Sequence, residues 1–74
     1  MIKSDISINA GAIGQLLSEK GILSIREISE VTKYNSFYIT LALGWLAREN
    51  KVRFIDEGEI LYVELNRSPS DMYY

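Results

Sequence analysis

Apolar residues recur along this chain with two periods, helical up to Asn50 and alternating after it. The longest helical pattern runs from Asn35 to Asn50, where Ile39, Ala42, Leu43 and Leu46 fall on one stripe at ~100° per residue. Asn35 is placed to cap its start and Asn50 to end it in a left-handed conformation. Upstream, Ala10, Ile13, Leu16 and Leu17 share a face, with Gly11, Gln15, Ser18 and Glu19 opposite, so a first helix is expected from an Asn9 cap to a stop at Gly21. Gly11 and Gly14 cost that helix about 1 kcal/mol each relative to alanine, and close approach of a neighbouring backbone is the expected reason. Ser24 and Glu27 have the spacing of a capping box, predicting a short second helix that turns Ile28 and Val31 inward and Arg26, Ser29 and Glu30 outward. Thr32, Lys33 and Tyr34 form the turn between the second and third helices.

Beyond Asn50, Lys51 to Ile55 and Ile60 to Leu65 alternate as two strands around Asp56, Glu57, Gly58 and Glu59. Pairing Ile55 with Ile60 sets Val52 opposite Val63 and Phe54 opposite Leu61 on one face, with Arg53 facing Tyr62 and Lys51 facing Glu64 on the other. Ile2, Ile6 and Ile8 share a parity that suits an extended arm, and Ile22 with Leu23 can supply a short third strand. The order is helix, link, capped helix, turn, helix, hairpin. It predicts an α+β, mainly α, winged helix-turn-helix: three helices followed by a β-hairpin wing. Residues 1–8 read as an N-terminal arm, 9–65 as the winged helix domain and 66–74 as a flexible C-terminal tail.

Composition narrows the chemistry. At 74 residues the chain is one domain near the lower limit for a core without staples, so self-association is the expected reinforcement. There is no cysteine and no histidine, which removes disulfides, thiolate metal sites, thiol nucleophiles and the commonest general base. The carboxylates Glu27 and Glu30 sit on an exposed helix surface, and a domain of this size has little room for a cavity of even ~300 Å³. An enzyme, a cofactor, a metal and a small-molecule substrate are therefore not expected. Eight basic against ten acidic residues give a net charge of −2, against the basic excess usual in chains that live on phosphate contacts. With no long apolar run and no signal-like start, the expectation is a cytoplasmic protein without membrane contact.

Ala42-Leu43-Gly44-Trp45-Leu46-Ala47-Arg48-Glu49-Asn50-Lys51, together with Asn9-Ala10-Gly11 before an apolar helix, resembles a family of small prokaryotic winged helix domains of unknown function. The resemblance spans roughly Ile8 to Leu65. The family tends to carry an aromatic residue where Gly14 stands and an acidic one where Asn50 stands. It implies the same fold, a tendency to form homodimers, and DNA binding by analogy.

Opposite the core stripe of the third helix lie Phe37, Leu41, Gly44 and Arg48, with Tyr38 and Trp45 on one shoulder and Thr40 and Ala47 on the other. A helix that reads the major groove offers Arg, Lys, Asn, Gln, Ser or Thr there. Clustered apolar side chains mark a protein partner instead. The expected interface is Phe37, Tyr38, Leu41, Gly44, Trp45 and Arg48, meeting a second copy or another protein. The alternative is a DNA-binding transcriptional regulator touching nucleic acid through Arg26, Lys33, Thr40, Arg48 and Arg53. Against it, the wing tip carries Asp56, Glu57 and Glu59, which repel phosphate.

Overall fold

In the computed structural model, which describes residues 3–66, helix α1 (Lys3–Lys20) begins where the sequence pattern suggested an extended arm. The extended reading of residues 1–8 is corrected from Lys3 onward, Met1 and Ile2 lying outside the described residues: the parity of Ile6 and Ile8 is incidental. Ile6 continues the helical stripe of Ala10, Ile13 and Leu17 backwards by one turn and is half-buried, while Ile8 points out at 66% exposure. Asn9 lies inside the helix rather than capping it. The stop is where it was expected. Gly21, at φ +87°, donates its N–H to the Leu17 carbonyl at 2.8 Å and closes the last turn.

Strand β1 (Leu23–Ser24) leads directly into α2 (Ile25–Thr32). Ser24 serves both elements. Its hydroxyl accepts from the Glu27 N–H at 3.1 Å, and its own N–H donates to the Glu27 carboxylate at 2.9 Å. This reciprocal cap satisfies two orphan amides and contributes about 1 kcal/mol. α2 directs Ile28, with Ile25 partly, into the core; Val31 was expected there too but is 53% exposed. The stripe is centred on Ile25, Ile28 and Thr32, and Val31 lies roughly a quarter turn off it.

The turn into α3 (Ser36–Arg48) is tightly braced. Lys33 adopts φ 66° and donates its N–H to the Ser29 carbonyl, the Ser29 hydroxyl donates to the Tyr34 carbonyl, and the Tyr34 N–H donates to the Thr32 hydroxyl. The Asn35 side chain then accepts from the Tyr38 N–H at 3.2 Å as the N-cap of α3. At the far end Asn50, φ 60°, donates to the Ala47 carbonyl and Lys51 to the Leu46 carbonyl, which turns the chain into the wing.

Strands β2 (Val52–Glu57) and β3 (Ile60–Leu65) form the hairpin, and the antiparallel sheet has the order β1-β3-β2. The third strand is therefore present, as Leu23–Ser24 against Val63 and Tyr62. The hairpin register differs by two residues from the one expected. Phe54 faces Val63, Ile55 faces Tyr62, and Glu57 faces Ile60, so only Gly58 and Glu59 form the connection. Gly58 at φ +70° fills the first loop position that a type II′ turn reserves for glycine. An even shift leaves each side chain on its face, which is why the apolar pattern could not separate the two registers. It does change partners: Arg53 meets Glu64 at 3.1 Å, and Lys51 pairs with Glu49 at 3.5 Å rather than with Glu64.

The core lies between α1, α3 and the sheet, closed at one side by α2. Ile13, Leu17, Ile28, Ile39 and Val63 are its largest fully buried side chains, joined by Ala10, Leu16, Ala42, Leu43 and Leu46 as the helical stripes predicted. Asn66, the first residue of the expected tail, is tied back by its N–H to the Lys51 carbonyl and by its amide to Asn50. The reading of the rest of that tail as flexible lies outside the described residues.

Gly11 and Gly14 are corrected as well. A Cβ built at either meets nothing within 4 Å, so no neighbouring backbone requires them within this fold. Gly11→Ala and Gly14→Ala are each expected to raise stability by about 0.5–1 kcal/mol, read as a shift in the urea midpoint at constant slope. A loss of stability at either would mean that a neighbour does approach α1 there.

Candidate functional site: the outer face of the third helix

α3 is held at both ends by caps and along its inner side by Ile39, Ala42, Leu43 and Leu46, all buried. Its opposite side is thereby fixed as a rigid surface. The helical repeat brings Phe37, Leu41, Gly44 and Arg48 onto one line. Phe37 is 64% exposed, and Gly44 and Arg48 are exposed, whereas Leu41 is half-buried. Tyr38, exposed at the shoulder, tilts its ring against Phe37 with centroids 5.6 Å apart, so the two aromatics form one apolar cluster at the start of α3. Trp45 is brought in less fully: it is half-buried and packs against the core. A Cβ at Gly44 would meet nothing within 4 Å, which leaves a shallow saddle between Leu41 and Arg48.

The residues of the alternative, nucleic-acid reading are not assembled into one patch of free cations. Arg26 lies 3.7 Å from Glu30, one helical turn on, and Arg53 is 3.1 Å from Glu64. The Thr40 hydroxyl donates to the Ser36 carbonyl at 2.8 Å, back onto its own helix. Lys33 and Arg48 are in no ion pair among the described residues, and both are exposed. Asp56, Glu57 and Glu59 are exposed at the wing tip, as the sequence indicated.

Two features of the surface escaped the sequence reading. The first is apolar exposure on the wing: Phe54 and Leu61, on the face that carries Val63, reach past the end of the core, Ile60 lies on the opposite face, and all three stay partly in solvent. Their alternation was visible, but how far the core extends beneath a hairpin is a tertiary property. The second is an open cleft of about 440 Å³ lined by residues 24–27 and 59–62, between the start of α2 and the distal half of β3. The domain thus has more room at its surface than its length suggested. At that cleft the Ser24 and Glu27 amides are taken up by their reciprocal cap, and among the described residues no group of three or more His, Cys, Asp or Glu could hold a metal ion. No helix of the described residues is long and apolar enough to cross a membrane.

A sequence profile described as "Winged helix-turn-helix domain (DUF2582)" matches residues 1–65. An uncharacterized protein of Methanocaldococcus jannaschii is 36% identical over 62 residues, covering 81% of this chain and 89% of that protein.

Proposed function

The chain belongs to the winged helix-turn-helix family DUF2582, and on that footing we propose that it is a protein-interaction module that self-associates through the outer face of α3. The observation that carries this reading is the exposure of Phe37, 64%, on the same line as Leu41 and Gly44. A large aromatic side chain left that far in water forgoes burial worth ~1.5–3 kcal/mol. It also stands next to Tyr38, which makes a patch of two rings rather than a scattered apolar residue. Gly44 lets a second helix approach closely, and Arg48 ends the face with a charge suited to an interface rim.

The rival is a DNA-binding regulator of the usual helix-turn-helix kind, reading bases with this same face. It lacks base-reading side chains at Phe37, Leu41 and Gly44, and its cations Arg26 and Arg53 already face carboxylates. Both readings are tested by one set of measurements. Sedimentation of the wild-type chain at tens of micromolar should give a dimer; a monomer throughout that range removes the self-association. With a labelled duplex at low salt, no saturable binding is expected. If binding appears, falls with salt at a slope near −4 or steeper, and is lost in Lys33→Gln with Arg48→Gln, the DNA-binding reading replaces this one.

A further inference from the structure

β2 is an outer strand: β3 lies on one side of it, and among the described residues no strand pairs with the other. The connection Gly58-Glu59 closes on the pair Glu57 and Ile60, and the Asn66 N–H donates to the Lys51 carbonyl at 2.8 Å. Residues 51, 53, 55 and 57 therefore turn their backbone groups toward β3, because bonded and non-bonded pairs alternate along an antiparallel ladder. Val52, Phe54 and Asp56 are left presenting theirs to the open edge.

The side chains along this edge are ordered by charge. Lys51 and Arg53 stand at its start, Asp56 and Glu57 at its end, and Phe54, 43% exposed, between them. A copy of the same strand laid parallel would set like charge against like. Laid antiparallel, it sets each basic end against an acidic one. The alternation of pair types also requires a two-fold axis to pass through a residue position rather than between two. Centred on Arg53, the axis opposes two guanidinium groups; centred on Ile55, it sets the Phe54 ring against the Asp56 carboxylate and offers Glu57 only Arg53, which already holds Glu64 at 3.1 Å. Centred on Phe54, it brings ring to ring and faces Lys51 of each copy with Glu57 of the other, with no like charges opposed.

We infer that the open edge of β2 pairs antiparallel with β2 of a second copy of this chain, with Phe54 on the two-fold axis. The sheet then runs through six strands, and the unpaired amides and carbonyls of both edges are satisfied. This contact is separate from the α3 face. It is the weaker of the two, since only Val52, Phe54 and Asp56 present backbone groups to it. At tens of micromolar the α3 dimer predominates, and edge pairing, which builds assemblies beyond a dimer, is captured by a crosslink.

The chain has no cysteine, so Phe54→Cys introduces a single thiol. Opposed residues of a bonded antiparallel pair have Cα atoms ~5.5 Å apart, inside the ~4.4–6.8 Å that a disulfide spans. Mild oxidation of the folded variant at micromolar concentration is expected to give a covalent dimer. Adding Lys51→Glu or Glu57→Lys should slow its formation roughly tenfold, and adding both together should restore it, since the swap rebuilds each cross-strand pair. The covalent dimer should form equally well with Phe37→Glu present. A Phe54→Cys chain that stays monomeric while folded, a double swap no faster than either single change, or a crosslink lost with Phe37→Glu would each overturn the inference.

Discussion

Ile39→Ala is expected to destabilise the domain by about 2–5 kcal/mol, the range for truncating a fully buried aliphatic side chain. Ile39 has no exposed surface and lies on the inner stripe of α3 with Ala42, Leu43 and Leu46. Removing its outer carbons leaves a cavity that rigid neighbours such as Ile13, Leu17 and Ile28 can fill only in part. The total stability of a chain this length is on the order of 4–11 kcal/mol, so the loss is a large fraction of the whole. At ~4–8 °C per kcal/mol it lowers the melting temperature by tens of degrees, readable by circular dichroism. Ile8→Ala is the control, because Ile8 is 66% exposed and should change stability by less than about 0.5 kcal/mol. Equal effects at the two positions would place the core elsewhere.

That contrast between Ile39 and Ile8 also marks where the sequence was legible. Local signals mostly carried through, the exception being the Asn9 cap, which the longer α1 takes into its interior. The Ser24–Glu27 box, the Asn35 cap, and the turns at Gly21 and Asn50 depend on residues within a few positions of one another, and each appears where the spacing put it. Ile8 was misread because three isoleucines of one parity imitate a strand, although Ile6, Ala10, Ile13 and Leu17 hold helical spacing over the same stretch. Extending the stripe backwards from Ala10 would have found the first turns of α1. The hairpin register was open for a different reason: two registers related by an even shift bury the same residues, and only the glycine requirement of the turn separates them.

The candidate site was legible in part. Helical periodicity alone put Phe37, Leu41, Gly44 and Arg48 opposite the core, and the structure has them there. How deeply each is covered was beyond periodicity. Trp45 packs against the core, and Leu41 is half-buried rather than exposed. The wing's exposed Phe54 and Leu61 depend on where the helical layer ends beneath the sheet, which no single segment encodes.

Phe37→Glu should therefore separate the self-association from the fold better than a change at Leu41. Phe37 is mostly in solvent within the protomer, so its loss costs the folded monomer little, within about 0.5 kcal/mol. In a two-fold contact each substitution acts twice, once from either copy. Burying one Phe37 ring contributes ~1.5–3 kcal/mol, so losing two removes ~3–6 kcal/mol, and opposed carboxylates add repulsion. The dimer dissociation constant should rise by a factor of roughly 10² to 10⁴, since each 1.4 kcal/mol is about tenfold. A dimer held at micromolar concentration then sediments as a monomer with an unchanged circular dichroism spectrum and melting temperature near that expected for a dissociated chain. Were Phe37→Glu to sediment as the wild type does, the ring would lie outside the contact between copies. The second copy would then have to sit on another surface, with the β2 edge as the next place to look.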